Sequence, residues 1–449
     1  MKMRPISGWV RMTILFTIAG FFEVAAYGQV SAFTPLYLPH LGIEAAAVAF
    51  WVGAITSFSN FVGLPFLPFW GALADRYGRK PLIIRSFVAA FVALSLTAVA
   101  PNVWVFALSR AIQSLGLGNT GLILATLAEQ TPPGRIAFAF GIVNGANPLG
   151  GFVGPLVGGP VVDRFGFPAL MAADAAIMIG LVFMLVFGYR DGFVPKATSG
   201  SLLRMAGDGI LLIARSPRLR ALFPALFLLF AGWMLAFIYV PLVVARLYTG
   251  SDPATAVGIV LGAGGLGIFI ASPAIGALAD RYGKPQTLFV GCALLAALWS
   301  VPFFTRELLP FTVAWTIVNG LAAALFSVSF TMLSASATDA TRGRVMTFAY
   351  LPANLGFVVG PAIGSLVASV DVFLVFPAAA LLTVFGLFAV VYAWRQPIAV
   401  TTPSFGPRPI GAKVIFARTD HANTGTAVVR KRATNTNLSA IEKKSKLST

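Results

Sequence analysis

Charge is scarce in this chain. Asp, Glu, Lys and Arg account for 10% of the 449 residues, against roughly 25% in an ordinary soluble domain. Hydrophobic residues reach 58%, more apolar surface than a soluble core of this length can hide, so lipid is the expected solvent. Cysteine occurs once, as Cys292 in an apolar run, which excludes an internal disulfide framework. The two histidines, His40 and His421, are far apart in sequence and suggest no metal-ligand cluster. No Gly-Lys-Ser/Thr loop is present, so ATP-driven work by this chain is unsupported, and neither a catalytic constellation nor a cofactor motif stands out.

The charge that is present is lopsided: 32 Lys and Arg face 15 Asp and Glu, for a net +17. The basic residues lie in short segments between apolar runs and in the last 55 residues. That distribution fits loops beside an anionic leaflet rather than a nucleic-acid surface. A helix needs about 20 apolar residues to cross the roughly 30 Å hydrocarbon core. Runs of that kind start near Met12, Ala46, Leu82, Val103, Ile136 and Pro168, then near Ala221, Ala256, Gln286, Leu309, Val345 and Val372. The expected fold is therefore an all-α membrane protein of twelve transmembrane helices. Alternate connections hold 28 of the Lys and Arg, the opposite ones Arg164, Arg246 and Arg306, and Arg110 falls inside a span. The imbalance predicts cytoplasmic termini in a multi-pass plasma (inner) membrane protein. Lys2 to Arg11 resembles a signal-peptide start, but the following run is too long, and it is read as an uncleaved first helix.

The chain also repeats itself. Gly71-Ala-Leu-Ala-Asp75-Arg76-Tyr-Gly78 returns as Gly276-Ala-Leu-Ala-Asp280-Arg281-Tyr-Gly283, 205 residues on. Pro35-Leu36 returns as Pro241-Leu242 and Gly154-Pro155 as Gly360-Pro361, at a shift of 206. The expected organisation is two homologous six-helix bundles at 1–188 and 221–394. A cytoplasmic linker spans 189–220, with an amphipathic surface helix expected at 201–214, and a basic tail follows at 395–449. Parallel halves of this kind place a substrate site near the bilayer midplane between them.

Gly71 to Lys80 resembles the loop signature between helices 2 and 3 of the major facilitator superfamily. Leu108-Ser-Arg110-Ala-Ile-Gln113-Ser-Leu-Gly116-Leu-Gly118 resembles that family's helix 4 motif. Gly150-Gly-Phe-Val-Gly154-Pro155-Leu-Val-Gly158-Gly159 resembles the helix 5 motif of its drug–proton antiporter branch. The resemblance implies two pseudo-symmetric bundles that work by alternating access. It implies a gate made by Gly71, Asp75, Arg76, Gly78 and Arg79, in which Asp75 docks on the start of helix 11 near Arg342 and Arg344. Gly276, Asp280, Arg281 and Gly283 would mirror that gate against helix 5 near Arg135, with Lys284 where the first copy has Arg79.

Two glycine stripes, Gly150, Gly154 and Gly158, and Gly356, Gly360 and Gly364, run at spacing four and let backbones approach closely. Gly159, Pro155 and Pro361 complete the expected packing and hinge set. Intramembrane charge is costly and marks function. Counting 1.5 Å per residue places Glu23 near the midplane and Arg110 at a similar depth. Helices 1 and 4 line the cavity in the family that this chain resembles. Burial favours the protonated carboxyl and a nearby guanidinium the ionised one, so Glu23 is expected to carry the coupling proton or to bind a cationic substrate, tuned by Arg110. Asp174 in helix 6 is a second candidate. The shift of 206 carries Glu23 to Leu229 and Tyr27 to Trp233. Tyr27, Gln113, Trp233, Trp315 and Asn319 form the expected substrate pocket, apolar and aromatic with one acid, suited to lipophilic and often cationic compounds.

Gly116 to Gly121 and Gly262 to Gly267 both match G-x-G-x-x-G inside apolar spans and read as helix-packing glycines. The expected function is proton-coupled export of small lipophilic compounds, including drugs. Export or flipping of a lipid, sugar or siderophore-like metabolite is an alternative, as is a membrane sensor acting through the tail. The expected partners are a small-molecule substrate, protons and the bilayer, with no nucleic acid and no cofactor, and the expected state is a monomer.

Overall fold

The computed structural model describes residues 8–189, 211, 213–336 and 348–397; the side chains of residues 68, 71, 72 and 75 lie outside the description. Among the described residues, twelve helices are long and apolar enough to cross a bilayer. They are α1 (Gly8–Leu41), α2 (Ala45–Phe66), α3 (Arg79–Ala98), α4 (Val103–Gln130), α5 (Pro133–Phe165) and α6 (Phe167–Gly188). The second set is α7 (Pro217–Leu247), α8 (Pro253–Tyr282), α9 (Lys284–Phe304), α10 (Leu308–Ala335), α11 (Leu351–Val370) and α12 (Val372–Arg395). No strand occurs among the described residues. Twelve crossings return the chain to the face where it began, the terminal face; the opposite one is the far face.

Local chemistry sets several helix ends. Asn102 caps α4 through Oδ1, which accepts from the backbone N–H of Trp104 at 3.1 Å and of Val105 at 3.0 Å. The repeated signature ends each time in a glycine with positive φ, +91° at Gly78 and +98° at Gly283. A side chain there would be strained, so each glycine closes one helix and starts the next within one residue. Arg76 lies over the ring of Tyr77, and Arg281 over that of Tyr282, in matching fashion. Lys80 donates from Nζ to the carbonyls of Val186 (2.7 Å) and Tyr189 (2.5 Å) at the end of α6, where the helix dipole favours a cation.

The two glycine stripes do the same job in each bundle. Gly150, Gly154 and Gly158 let α5 lie against Phe21, Ala25 and Gln29 of α1; a Cβ on Gly154 would sit 2.6 Å from the Ala25 carbonyl oxygen. Gly356, Gly360 and Gly364 seat α11 against Phe230, Ala231 and Tyr239 of α7, and a Cβ on Gly360 would sit 2.6 Å from the Ala231 oxygen. Ala25 and Ala231 are 206 residues apart, the shift of the repeat. The helices pass over Pro155 and Pro361 without an interruption.

The bundles meet along two seams, α5 with α8 and α2 with α11. Gly258 of α8 lies against the Pro155 carbonyl and Gly53 of α2 against the Pro361 carbonyl, again one contact written twice. The α5–α8 seam continues through Gly159, where a Cβ would be 2.6 Å from the Ala254 oxygen, and through Phe152 against Gly265. At its far end Asp163 accepts from the backbone N–H of Ala254 (3.0 Å) and Thr255 (2.7 Å), the opening residues of α8. A carboxylate of one bundle thus caps a helix of the other.

Candidate functional site

Glu23 sits mid-length in α1 and is half-buried. Both its oxygens accept from Asn119 Nδ2, at 3.1 Å and 2.9 Å. The expected Glu23–Arg110 pair is not formed. Arg110 is buried over the ring of Tyr27 and bonds to Gln113 of its own helix. The reason is depth: nine residues separate Arg110 from Asn119 along α4, about 13 Å at 1.5 Å per residue, while Tyr27 is one turn beyond Glu23 on α1.

The cation coupled electrostatically to Glu23 is Arg85. Arg85 lies inside α3, six residues from its start. Its guanidinium stacks 3.4 Å from the ring centroid of Trp70 and donates from Nη2 to Ser86 Oγ at 2.9 Å. Nε and Nη1 are buried without a hydrogen-bond partner among the described residues. Trp70 belongs to a short helix, Leu67–Tyr77, that prolongs α2 toward the terminal face.

Asn119 was hidden in the first glycine-rich run, and the packing reading fails there. α4 is broken: its first half ends at Ser114 and its second begins at Asn119, with Gly118 at φ +89° between them. The run breaks the helix. In α8 the packing reading holds, with Gly264 beside Trp315 and Asn319, and Gly267 against the Thr316 carbonyl.

In the second bundle, Trp233 Nε1 donates to Asn319 Oδ1 at 2.8 Å, and Asn319 Nδ2 donates to the Gly264 carbonyl at 3.1 Å. Phe230 joins Trp233, Phe326 and Phe357 at ring-centroid distances of 5.5, 4.7 and 4.9 Å. Trp315 is 0% exposed and meets Phe237, so it forms the wall of this cluster. The structure brings Trp233, Trp315 and Asn319 together, and separately Tyr27, Arg110 and Gln113. Asp174 is buried on α6, which packs on α3, and its Oδ2 has no partner among the described residues.

Of the expected gate, Arg79 pairs with Glu129 at 2.7 Å, within its own bundle. Gly71 and Asp75 lie in the short helix after α2, but their side chains, and Arg342 and Arg344, are outside the described residues. Asp280 is exposed and makes no ion pair or hydrogen bond among the described residues; Arg135 is exposed as well. The expected docking of Asp280 on the start of α5 is therefore not formed here. The named contacts between bundles lie toward the far face, and none among the described residues draws these terminal-face groups together. Most of the surface helix expected at 201–214, and the tail beyond residue 397, also lie outside the described residues.

Duplicated bundles, two glycine-and-proline seams and a half-buried carboxylate between helices fit a membrane transporter. Matches to the model of the Major Facilitator Superfamily cover residues 15–252 and 222–433. The chain belongs to that family. Among curated relatives, the Multidrug resistance protein MdtG of Escherichia coli (strain K12 / DH10B) is 27% identical over 397 residues, 87% of this chain and 95% of the relative. The MdtG of Escherichia coli O81 (strain ED1a) gives 27% over 87% of this chain and 96% of its own. Among solved structures, the nucleoside transporter NupG superposes with a TM-score of 0.71 at 16% identity, over 87% of this chain and all of that one (100%). A bacterial homologue of the human lysosomal transporter Spinster, inward-facing and occupied, gives 0.68 at 15%, over 86% and 96%. At such identities the structures show the fold. The protein is thus a multi-pass membrane transporter of small molecules.

Proposed function

We propose that this transporter exports small lipophilic compounds, drugs among them, in exchange for protons. The observation that carries the reading is the Glu23 carboxylate, mid-length in α1, held among the described residues by Asn119 and within the electrostatic reach of Arg85. A carboxyl in that place can take up a proton from one side and release it to the other. Arg85 supplies the compensating charge when the proton has left. The aromatic cluster of Phe230, Trp233, Phe326 and Phe357, with Asn319 bonded to Trp233, offers flat apolar surface to a lipophilic body, and Tyr27 and Gln113 of the other bundle offer polar groups. The resemblance to multidrug resistance proteins over 87% of the chain favours drugs over nutrients. The excess of basic residues in alternate connections favours both termini in the cytoplasm. The bundles at 1–188 and 221–394 rock about their two seams, opening the site to each face in turn.

The test is flux in proteoliposomes under an imposed pH gradient, screened across dyes, antibiotics and sugars. Gradient-driven movement of lipophilic compounds is expected in the native protein, and its loss in Glu23→Gln at undiminished expression. Full proton coupling in that variant removes Glu23 from the mechanism.

A further inference from the structure

Asn119 is placed to serve Glu23 in both of its protonation states. The break in α4 makes this possible. Gly118, at φ +89°, brings the backbone against the short helix Leu67–Tyr77 that follows α2, where a Cβ would meet Leu67 at 3.3 Å and Trp70 at 3.8 Å. The next residue, Asn119, opens the second half-helix with its amide turned to α1 rather than along the stripe of α4. It is 3% exposed. Nδ2 donates to both carboxylate oxygens. Oδ1 is buried and has no hydrogen-bond partner among the described residues.

An amide has two donors and an acceptor, and burying the acceptor unpaired is unfavourable. A carboxylate offers no proton to satisfy it. A carboxylic acid does. Of the charged groups on the surrounding elements, Arg85 of α3 acts on Glu23 through its charge, while its guanidinium stacks on Trp70. Arg110 is turned to Tyr27, Glu129 to Arg79, and Asp163 to the start of α8. No other described side chain hydrogen-bonds to the Glu23 carboxylate.

We propose that Asn119 is the positioning residue for proton exchange at Glu23, its amide turning over as the proton comes and goes. With Glu23 ionised, Nδ2 donates to the carboxylate. When a proton binds a carboxylate oxygen, the new O–H donates to Oδ1 and one N–H returns to the other oxygen. No bond other than O–H forms or breaks, and the same proton leaves on the return. Because Asn119 is the first residue after the break, the exchange acts directly on the join between the two halves of α4. The inference rests on Glu23 as the coupling acid.

Infrared difference spectra of the purified, full-length protein on acidification test it without a substrate. The native protein should show a carboxyl band absent in Glu23→Gln, together with a change in side-chain amide bands that moves on isotope labelling of asparagine. In Asn119→Leu the carboxyl band should shift to that of an acid lacking its hydrogen bond, and gradient-driven dye flux should fall about tenfold, the worth of one hydrogen bond. Asn119→Gln, which keeps the amide, should recover part of both. Absence of any Glu23 band overturns the coupling reading itself. A Glu23 band that ignores Asn119→Leu overturns the role of Asn119 alone. Should Asn119→Leu fail to fold, asparagine bands in the native protein that stay still while Glu23 titrates overturn it equally.

Discussion

Asp163 is the sharpest place to perturb the equilibrium between states. Its carboxylate receives two backbone N–H groups from the start of α8, at 3.0 and 2.7 Å, and does so across the seam between bundles. Opening of the far face along the α5–α8 seam must break both. Replacing a capping side chain by alanine costs about 0.5–2 kcal/mol. Here the loss falls on the far-closed state, since in the open state water can reach both the carboxylate and the helix end. A bias of about 1–2 kcal/mol changes a two-state ratio roughly 5- to 30-fold. Asp163→Ala should therefore move a measurable part of the population toward far-face opening. Asp163→Asn, which keeps an acceptor but not the charge, should move less. Spin labels at Val99 and Val370, both exposed at the far ends of α3 and α11, would report the change by double electron–electron resonance. Cys292 is fully buried and should not interfere. A distance distribution identical to the native one in Asp163→Ala would show that the clasp holds nothing.

Two further outcomes follow from packing. Gly154→Ala would put a Cβ 2.6 Å from the Ala25 backbone oxygen, which cannot give way as a side chain could, so a clear drop in melting temperature is expected; Gly141→Ala and Gly180→Ala, with nothing within 4 Å, should leave it within error. Trp233→Phe strands Asn319 Oδ1 in a buried site, at a cost of about 1–3 kcal/mol, and the double change with Asn319→Leu should recover part of the lost stability in the same thermal assay.

The spans were legible because lipid leaves no choice: a segment that crosses must be apolar for its whole length and satisfy its own backbone. The repeat was legible because the glycines that permit close approach, and Gly78 and Gly283 with their positive φ, tolerate nothing else. The site was legible in part. Glu23 stood out as an acid in an apolar run. Its neighbours did not. Arg85 lies at the edge of a basic loop, where sequence alone cannot separate a topology signal from a buried charge; only the early start of α3 at Arg79 moves it inside. Asn119 is one of several polar residues in spans, and the break that aims it looks, in sequence, like a packing motif. Depth counted from ragged helix ends also misled, since it levelled Arg110 with Glu23 when α4 carries it about two turns further on.

The two seams were inherited from one ancestor but are no longer equal. The residue that the duplication sets opposite Asp163 is Ser369, and its hydroxyl is turned inward to the Leu366 carbonyl at 2.8 Å instead of across the divide. One join therefore carries a lock and its twin only a snug fit. A molecule fastened on one side yields first on the other, so the outward swing should begin as a lopsided parting along α2 and α11, admitting water there before the α5–α8 join lets go.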